Sequence, residues 1–182
     1  MIGHPWWPTK AELLAALRSC EEAVTRLRTL PAVAFETRCY QDGWTGREVL
    51  AHLAGHEWTY RRLLDVAREV VARRLAGEPP DIRVAPPVAS GPAPAGGGGE
   101  VLERYSEHQV TRRAGASAAD LLAEFQRNRA ATIAAVVAAD ECLLRVPVRA
   151  ADGTAGPLGA VLYAGAVCHV LRHVADIGRP AG

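Results

Sequence analysis

The sequence predicts an all-α protein built as one four-helix bundle with a long crossover loop, and three observations support this. Ala, Leu and Val dominate a chain that is 49% hydrophobic but only 5% aromatic, a composition that favours helices. Apolar residues recur at helical spacing in four long segments. A Pro- and Gly-rich stretch at 78–99 separates the second segment from the third, as a crossover connection in a bundle does.

The first two helices are predicted from a capping box followed by apolar residues at helical spacing. Thr9 pairs with Glu12 in the first box, and Thr45 pairs with Glu48 in the second. In such a box each side chain satisfies a backbone N–H group that the start of the helix leaves unpaired. Proline follows each segment and stops the helix. The predicted spans are residues 9–30 and 45–76.

The third and fourth helices carry similar start signals. Ser117 and Asp120 form a third box, and Pro157 suits a first helical turn because its missing N–H group is not needed there. Between the main helices we expect one short helix and a small extended excursion around Val146 and Val148. The predicted spans are residues 117–139 and 157–177 for the main helices and 100–113 for the short one.

Length and composition indicate one domain, which we expect to span residues 1–182. A chain of this size buries enough apolar surface to fold without a metal or a disulfide as a staple. The stretch at 78–99 is expected to be a flexible loop, because Pro- and Gly-rich chain has little to bury. The four cysteines form no CxxC pair, and we expect free thiols in a reducing compartment.

Charge and hydropathy argue against two classes of partner. The formal net charge is +1, so the chain lacks the basic field that gathers nucleic-acid phosphates. No apolar run reaches the roughly 20 residues that a bilayer requires, and the N-terminus lacks the pattern of a signal peptide. We therefore expect a cytoplasmic monomer or homodimer that acts on a small molecule, with no nucleic-acid or membrane partner.

Four of the six histidines form two HxxxH pairs, His52 with His56 and His169 with His173. Residues four apart lie on one face of a helix, so each pair can present two imidazoles to one ion. Both pairs continue the apolar stripe of their helix, and neutral imidazoles that meet in a core need a cation to satisfy their lone pairs. Zinc, nickel, copper and iron all suit imidazole ligands. The alternative, ordinary surface histidines, explains one such pair more readily than two.

Three other residues carry less weight as site candidates. His4 lies in the N-terminal segment and His108 lies beside the Pro- and Gly-rich stretch, and both are predicted to be surface residues. Cys168 adjoins His169, but consecutive residues point about 100° apart around a helix. We therefore expect Cys168 to point away from the ion.

Residues 43–57, GWTGREVLAHLAGHE, resemble the fingerprint of the DinB/YfiT-like superfamily. That superfamily includes the N-terminal domain of mycothiol-dependent maleylpyruvate isomerases and small self-resistance hydrolases. Residues 8–14, PTKAELL, are similar to the resistance branch, and residues 169–177, HVLRHVADI, are similar to the second histidine motif. The resemblance spans nearly the whole chain. It implies a four-helix bundle of up-down-down-up topology in which three histidines hold a metal.

Carried over by position, the resemblance implies that His52, His169 and His173 are the metal ligands. Three protein ligands leave a coordination position open, which is typical of catalytic metals. We expect zinc, or else nickel, to activate a low-molecular-weight thiol of the mycothiol type, or water, for attack on an electrophilic small molecule. Two alternatives stay open. One is a self-resistance or tailoring protein of natural-product biosynthesis that hydrolyses or sequesters a reactive metabolite, and the other is a non-catalytic binding protein.

His56 stands where many members of the superfamily have tryptophan, so its role does not carry over. It lies one turn beyond His52 and about 40° around the helix, which directs it to the same cavity. We assign His56 as a catalytic general base, since an imidazole titrates near neutral pH. A fourth metal ligand and a packed histidine bonded to a backbone carbonyl are the alternatives.

Overall fold

The computed structural model describes residues 7–40, 43–79 and 98–177. Within these residues the architecture is helical, with one short antiparallel hairpin. The helices are α1 Lys10–Arg26, α2 Ala32–Glu36, α3 Gly46–Leu75, α4 Gly98–Arg112, α5 Ala118–Ala138 and α6 Leu158–Ile177. Short 3-10 turns cover Leu27–Thr29 and Glu141–Arg145. The hairpin strands are β1 Pro147–Arg149 and β2 Ala155–Pro157.

Four long helices enclose one core. Helix α1 packs against α5 and α6, and α3 packs against the same two helices, so α1 and α3 occupy opposite corners of the bundle. Helix α4 lies outside this ring, against α3. Each of the four contributes leucines that are at most 2% exposed, such as Leu13, Leu50, Leu122 and Leu162. The predicted all-α four-helix bundle is confirmed.

All three predicted capping boxes are present. In the second box the Thr45 amide donates a hydrogen bond to Glu48 Oε2 at 2.7 Å, and the Thr45 hydroxyl accepts one from the Glu48 amide at 3.3 Å. This reciprocal pair fixes where α3 begins. It therefore sets the register of the helix that carries His52 and His56.

The structure departs from the predicted elements in three places. The middle of α6, Tyr163–His169, is π-helical, whereas we predicted one regular helix. Helix α1 ends at Arg26 and continues as a 3-10 turn. The short helix α2, Ala32–Glu36, lies outside the predicted spans. The π-helical segment lies where Tyr60 and Arg129, from neighbouring helices, donate hydrogen bonds to its backbone carbonyls.

Helix α6 is long and apolar enough to cross a membrane, judged by length and composition alone. The sequence prediction that no run meets this test was therefore wrong. Leu158, Leu162 and Val170 lie in the core of the bundle, and His173 is buried with them. Packing inside the bundle accounts for the apolar character of this helix.

Two connections lie next to the histidine-bearing ends of α3 and α6. Residues 37–40 and 43–45 form a narrow loop in which Arg38 pairs with Thr45. The β1–β2 hairpin is the small extended excursion predicted from the sequence. Residues 80–97, which hold most of the predicted flexible loop, lie outside the described residues, as does His4.

Candidate metal centre and adjoining cavity

Three imidazoles meet between α3 and α6. His52 comes from α3, and His169 and His173 come from successive turns of α6. The Nε2 atoms of His52 and His169 are 3.3 Å apart, and those of His169 and His173 are 3.1 Å apart. One ligand atom from each residue lies within 4.8 Å of the other two. The structure thus brings together the three predicted ligands, which we call the histidine cluster.

Hydrogen bonding alone cannot satisfy the histidine cluster. A neutral imidazole nitrogen carries either one hydrogen or one lone pair, so His169 Nε2 can bond to one of its two neighbours but not to both. A zinc ion accommodates all three nitrogens, because bonds of roughly 2.0–2.1 Å at tetrahedral angles place two ligating nitrogens about 3.3 Å apart. The observed separations of 3.1 and 3.3 Å agree with this. The donor set therefore fits a divalent transition ion.

Burial keeps the histidine cluster neutral. His52 and His173 are 7% and 3% exposed. Burial, followed by repulsion from the neighbouring imidazoles, holds the pKa of His52 well below its usual value. Burial is also the main cause that lowers the pKa of His169 and of His173 to about 4. Neutral imidazoles offer lone pairs to an ion without first releasing a proton.

The outward-facing ring nitrogens of the cluster have weak partners or none. His173 Nδ1 is 3.5 Å from Asp176 Oδ2, which is too long for a well-formed hydrogen bond. His52 Nδ1 is buried without a partner. Tyr40 meets His173 edge-on at 4.8 Å between ring centroids, and Trp44 lies 5.5 Å from His52. Asp176 and these two aromatic rings therefore surround the imidazoles from outside, at the place of an outer shell around a metal.

Side chains from neighbouring helices hold the π-helical segment that ends at His169. The Tyr60 hydroxyl donates to the Gly165 carbonyl at 2.9 Å, and Arg129 Nη2 donates to the Ala166 carbonyl at 2.7 Å. A π-helical turn departs from the regular backbone pairing of an α-helix, and such turns are frequent at functional sites. The position of His169 therefore depends on contacts from α3 and α5.

A cavity of about 470 Å³ adjoins the histidine cluster. Its lining is mostly apolar and comes from α3, α4, α6 and the β1–β2 hairpin, and His52 and His169 form part of it. Arg62, Asp152 and Arg172 are its charged lining residues. A mostly apolar cavity with a few convergent polar groups is typical of a small-molecule site.

His56 lines the same cavity but does not join the cluster. Its Nε2 is 3.2 Å from Ser106 Oγ, so its partner is a hydroxyl rather than a backbone carbonyl. Its ring centroid lies 4.3 Å from that of His52 and 6.4 Å from that of His169. Burial lowers the pKa of His56 to about 4, below the near-neutral value expected from the sequence. The shared cavity is confirmed, and the catalytic role stays a prediction.

The other sequence candidates lie where they were predicted or beyond the described residues. His108 and Cys168 are exposed. Sequence reasoning missed Ser106, because nothing in the chain indicates which residue of α4 meets α3. It also missed Arg129, which is fully buried. Arg129 interrupts the apolar stripe of α5, and that interruption is a signal that could have identified it.

No family model and no curated protein sequence matches the chain, but three solved structures do. The crystal structure of the mycothiol-dependent maleylpyruvate isomerase matches with a TM-score of 0.66 at 19% identity, over 96% of this chain and 62% of that one. A histidine-to-alanine mutant of that enzyme gives 0.67 at 18% identity over the same shares. A protein from Streptococcus pneumoniae gives 0.61 at 14% identity, over 95% of this chain and 90% of its own.

These matches show that the chain has the DinB-like fold, so the resemblance stated from the sequence is confirmed as a shared fold. The chain spans 62% of the length of the isomerase. At 14% to 19% identity the likeness extends to the fold and no further. The histidine cluster and the cavity are therefore the observations that indicate a chemical function.

Proposed function

We propose that this protein is a metal-dependent enzyme in which a low-molecular-weight thiol, or water, attacks an electrophilic small molecule bound in the cavity. The observation that supports it most is the position of the histidine cluster, whose members His52 and His169 line a cavity of about 470 Å³. Three protein ligands leave a further coordination position free, as in catalytic sites. That position would face the cavity.

His52, His169 and His173 would hold the ion, with zinc favoured and nickel as the alternative. A bound divalent ion supplies Lewis acidity, which lowers the pKa of a thiol or of water and makes a nucleophile available at neutral pH. The aromatic rings of Tyr40 and Trp44 pack against His173 and His52 and restrict their rotation. A preorganised donor set loses little conformational freedom when the ion binds.

The cavity residues would bind the electrophile and exclude water. Trp58, Leu63 and Val161 supply apolar surface, and Arg62 and Arg172 supply positive charge that would attract an anionic group. His56, which is in the same cavity, would accept the proton that the nucleophile loses. The electrophile would therefore be a small, partly apolar molecule.

The name of the similar isomerase makes mycothiol the first thiol to test. We propose a cytoplasmic location, because low-molecular-weight thiols stay reduced in that compartment. The free cysteines of the chain are compatible with the same compartment.

A turnover assay on the metal-loaded protein tests the proposal. We expect zinc-loaded protein to accelerate the reaction of mycothiol or glutathione with chlorodinitrobenzene, or the hydrolysis of styrene oxide, and a chelator to remove the acceleration. His108→Ala, which changes an exposed histidine, is the matched control and should behave as wild type. Acceleration that survives complete metal removal would contradict the proposal.

The same assay separates the alternatives. Turnover with water but not with either thiol would favour a hydrolase of the self-resistance type. Saturable binding of the electrophile without turnover under any metal and thiol would overturn the enzymatic proposal in favour of a binding protein.

A further inference from the structure

His56 lies close to the histidine cluster yet takes no part in it. Its ring centroid is 4.3 Å from that of His52, and both side chains come from the same face of α3. A fourth imidazole would fill the free coordination position that a catalytic ion needs. The question is what keeps this nearby ring from binding the ion.

Two neighbouring residues of α4 hold the His56 ring. Ser106 Oγ is 3.2 Å from His56 Nε2, the nitrogen that corresponds to the converging atoms of the cluster. Tyr105 meets the ring edge-on, with 5.0 Å between centroids and an angle of 85° between planes. Ser106 and Tyr105 are 9% and 8% exposed, so water competes little for the hydrogen bond.

Close packing of α4 against α3 places Ser106 opposite His56. A Cβ atom at Gly55 would lie 2.8 Å from the Gln109 Cβ, so a side chain at Gly55 would force the helices apart. The Tyr105 hydroxyl donates to the Gly55 carbonyl at 3.4 Å. Helix α4, which carries Ser106, is therefore held against α3 at Gly55, the residue next to His56.

We propose that Ser106 is a positioning residue that holds His56 out of the coordination shell of the ion and so keeps the fourth position open for the nucleophile. This inference rests on the metal site of the proposed function. In this arrangement the Ser106 hydroxyl, which is not itself a ligand, controls how many imidazoles reach the ion. His56 then remains outside the coordination shell of the ion.

The number of imidazoles around the ion tests this directly. Zinc-loaded wild-type protein, measured by X-ray absorption, should show three imidazole ligands and one oxygen ligand from water or hydroxide. Ser106→Ala should show four imidazoles, because His56 Nε2 loses its partner and turns to the ion. Alanine is the better helix former, so the variant should fold.

Two control variants identify the cause of any change. Ser106→Thr keeps the hydroxyl and should retain three imidazoles. Ser106→Ala combined with His56→Ala should return to three, since the fourth ligand is then absent. Three imidazoles in Ser106→Ala, or four in the wild type, would overturn the inference.

Thiol binding to the cobalt-loaded protein gives a second readout that does not depend on turnover. Adding 2-mercaptoethanol to wild type should produce a thiolate-to-cobalt charge-transfer band, and Ser106→Ala should need on the order of tenfold more thiol or show no band. If wild type binds cobalt but gives no band, the result contradicts only the thiol-activating part of the proposed function. The number of imidazole ligands would still decide the role of Ser106. Wild type that binds neither zinc nor cobalt would overturn both proposals.

Discussion

The described part of the bundle contains two buried polar clusters, and the hydrogen bonds within each cluster satisfy its polar atoms to different degrees. In the ion pair of Glu57 and Arg129, both side chains are 0% exposed and two nitrogen–oxygen contacts of 2.8 Å join them. Arg129 also donates to the carbonyls of Leu17 and Ala166 at 3.3 and 2.7 Å. This network uses the donors and acceptors that α1, α3, α5 and α6 present to one another.

The histidine cluster lacks that balance. His52 Nδ1 and His173 Nδ1 are buried without a hydrogen-bond partner, while the Nε2 atoms crowd one another. A buried polar group without a partner costs on the order of 1–3 kcal/mol. The ion pair therefore satisfies its own polar atoms, whereas the histidine cluster does not, and a cation would satisfy its crowded Nε2 atoms together.

The two clusters also differ in charge. Burial raises the pKa of Glu57, and the attraction and hydrogen bonds of Arg129 oppose that rise. Burial alone would lower the pKa of Arg129, but the Glu57 carboxylate outweighs it and the net shift is upward. Burial lowers the pKa values of the histidines. The ion pair compensates its own charge, and the neutral cluster is suited to receive charge from a cation.

Breaking the ion pair should have the largest effect on stability. Arg129→Ala leaves the Glu57 carboxylate buried without its partner, and such single removals cost about 3–5 kcal/mol. Urea unfolding of the metal-free protein measures the change in free energy of unfolding. Replacing both partners, with Arg129→Met and Glu57→Leu, should cost less than Arg129→Ala alone. A double variant less stable than the single one would contradict this account of the pair.

Breaking the histidine cluster should instead remove metal binding and leave the metal-free fold nearly as stable. His52→Ala and His173→Ala should lower the ion content from about one per chain to near zero, because loss of one imidazole breaks a three-point site. The stabilisation by zinc at a hundredfold excess over Kd, about 2.7 kcal/mol, should vanish with it. Elemental analysis and thermal unfolding measure both effects. Equal ion content in these variants and in His108→Ala would rule out the assignment.

The His56→Ala variant tests whether His56 is a metal ligand or only a neighbour of the histidine cluster. We expect the variant to keep its ion and to lose turnover by on the order of 10²-fold, as expected for a lost general base. Initial rates and elemental analysis on the same preparation measure this. Loss of the ion would identify His56 as a ligand. If neither the rate nor the ion content changes, His56 has only a packing role.

Removing one bond of the π-helical segment should have the smallest effect. Tyr60→Phe deletes the 2.9 Å hydrogen bond to the Gly165 carbonyl, which should cost about 1 kcal/mol and weaken zinc binding slightly through His169. Urea unfolding and competition with a zinc indicator measure the two changes. Thr29→Val, which removes a 2.8 Å hydroxyl-to-carbonyl bond at the end of α1, is the control. An equal or larger loss of zinc affinity in that control would argue against coupling through this segment.

Much of the fold follows from local sequence, and the helix starts show this most clearly. Each capping box joins residues three apart, so it depends on no other part of the chain, and all three boxes are present. The π-helical segment was missed because its side-chain donors, Tyr60 and Arg129, lie far from it in sequence. Arg129 was missed for a related reason, since the partner that makes its burial tolerable lies on another helix.

By itself the sequence determined which residues share a helix face, because the helical period fixes the direction of residues four apart. From that period we predicted that His52 shares a face with His56, that His169 shares a face with His173, and that Cys168 points away from them. The resemblance to the superfamily indicated which three of the four imidazoles converge, but only the tertiary structure showed that the fourth contacts Ser106. The distance between side chains on different helices depends on the relative rotation and separation of those helices. Residues remote in sequence, such as Gly55 and Gln109, set that rotation and separation through packing.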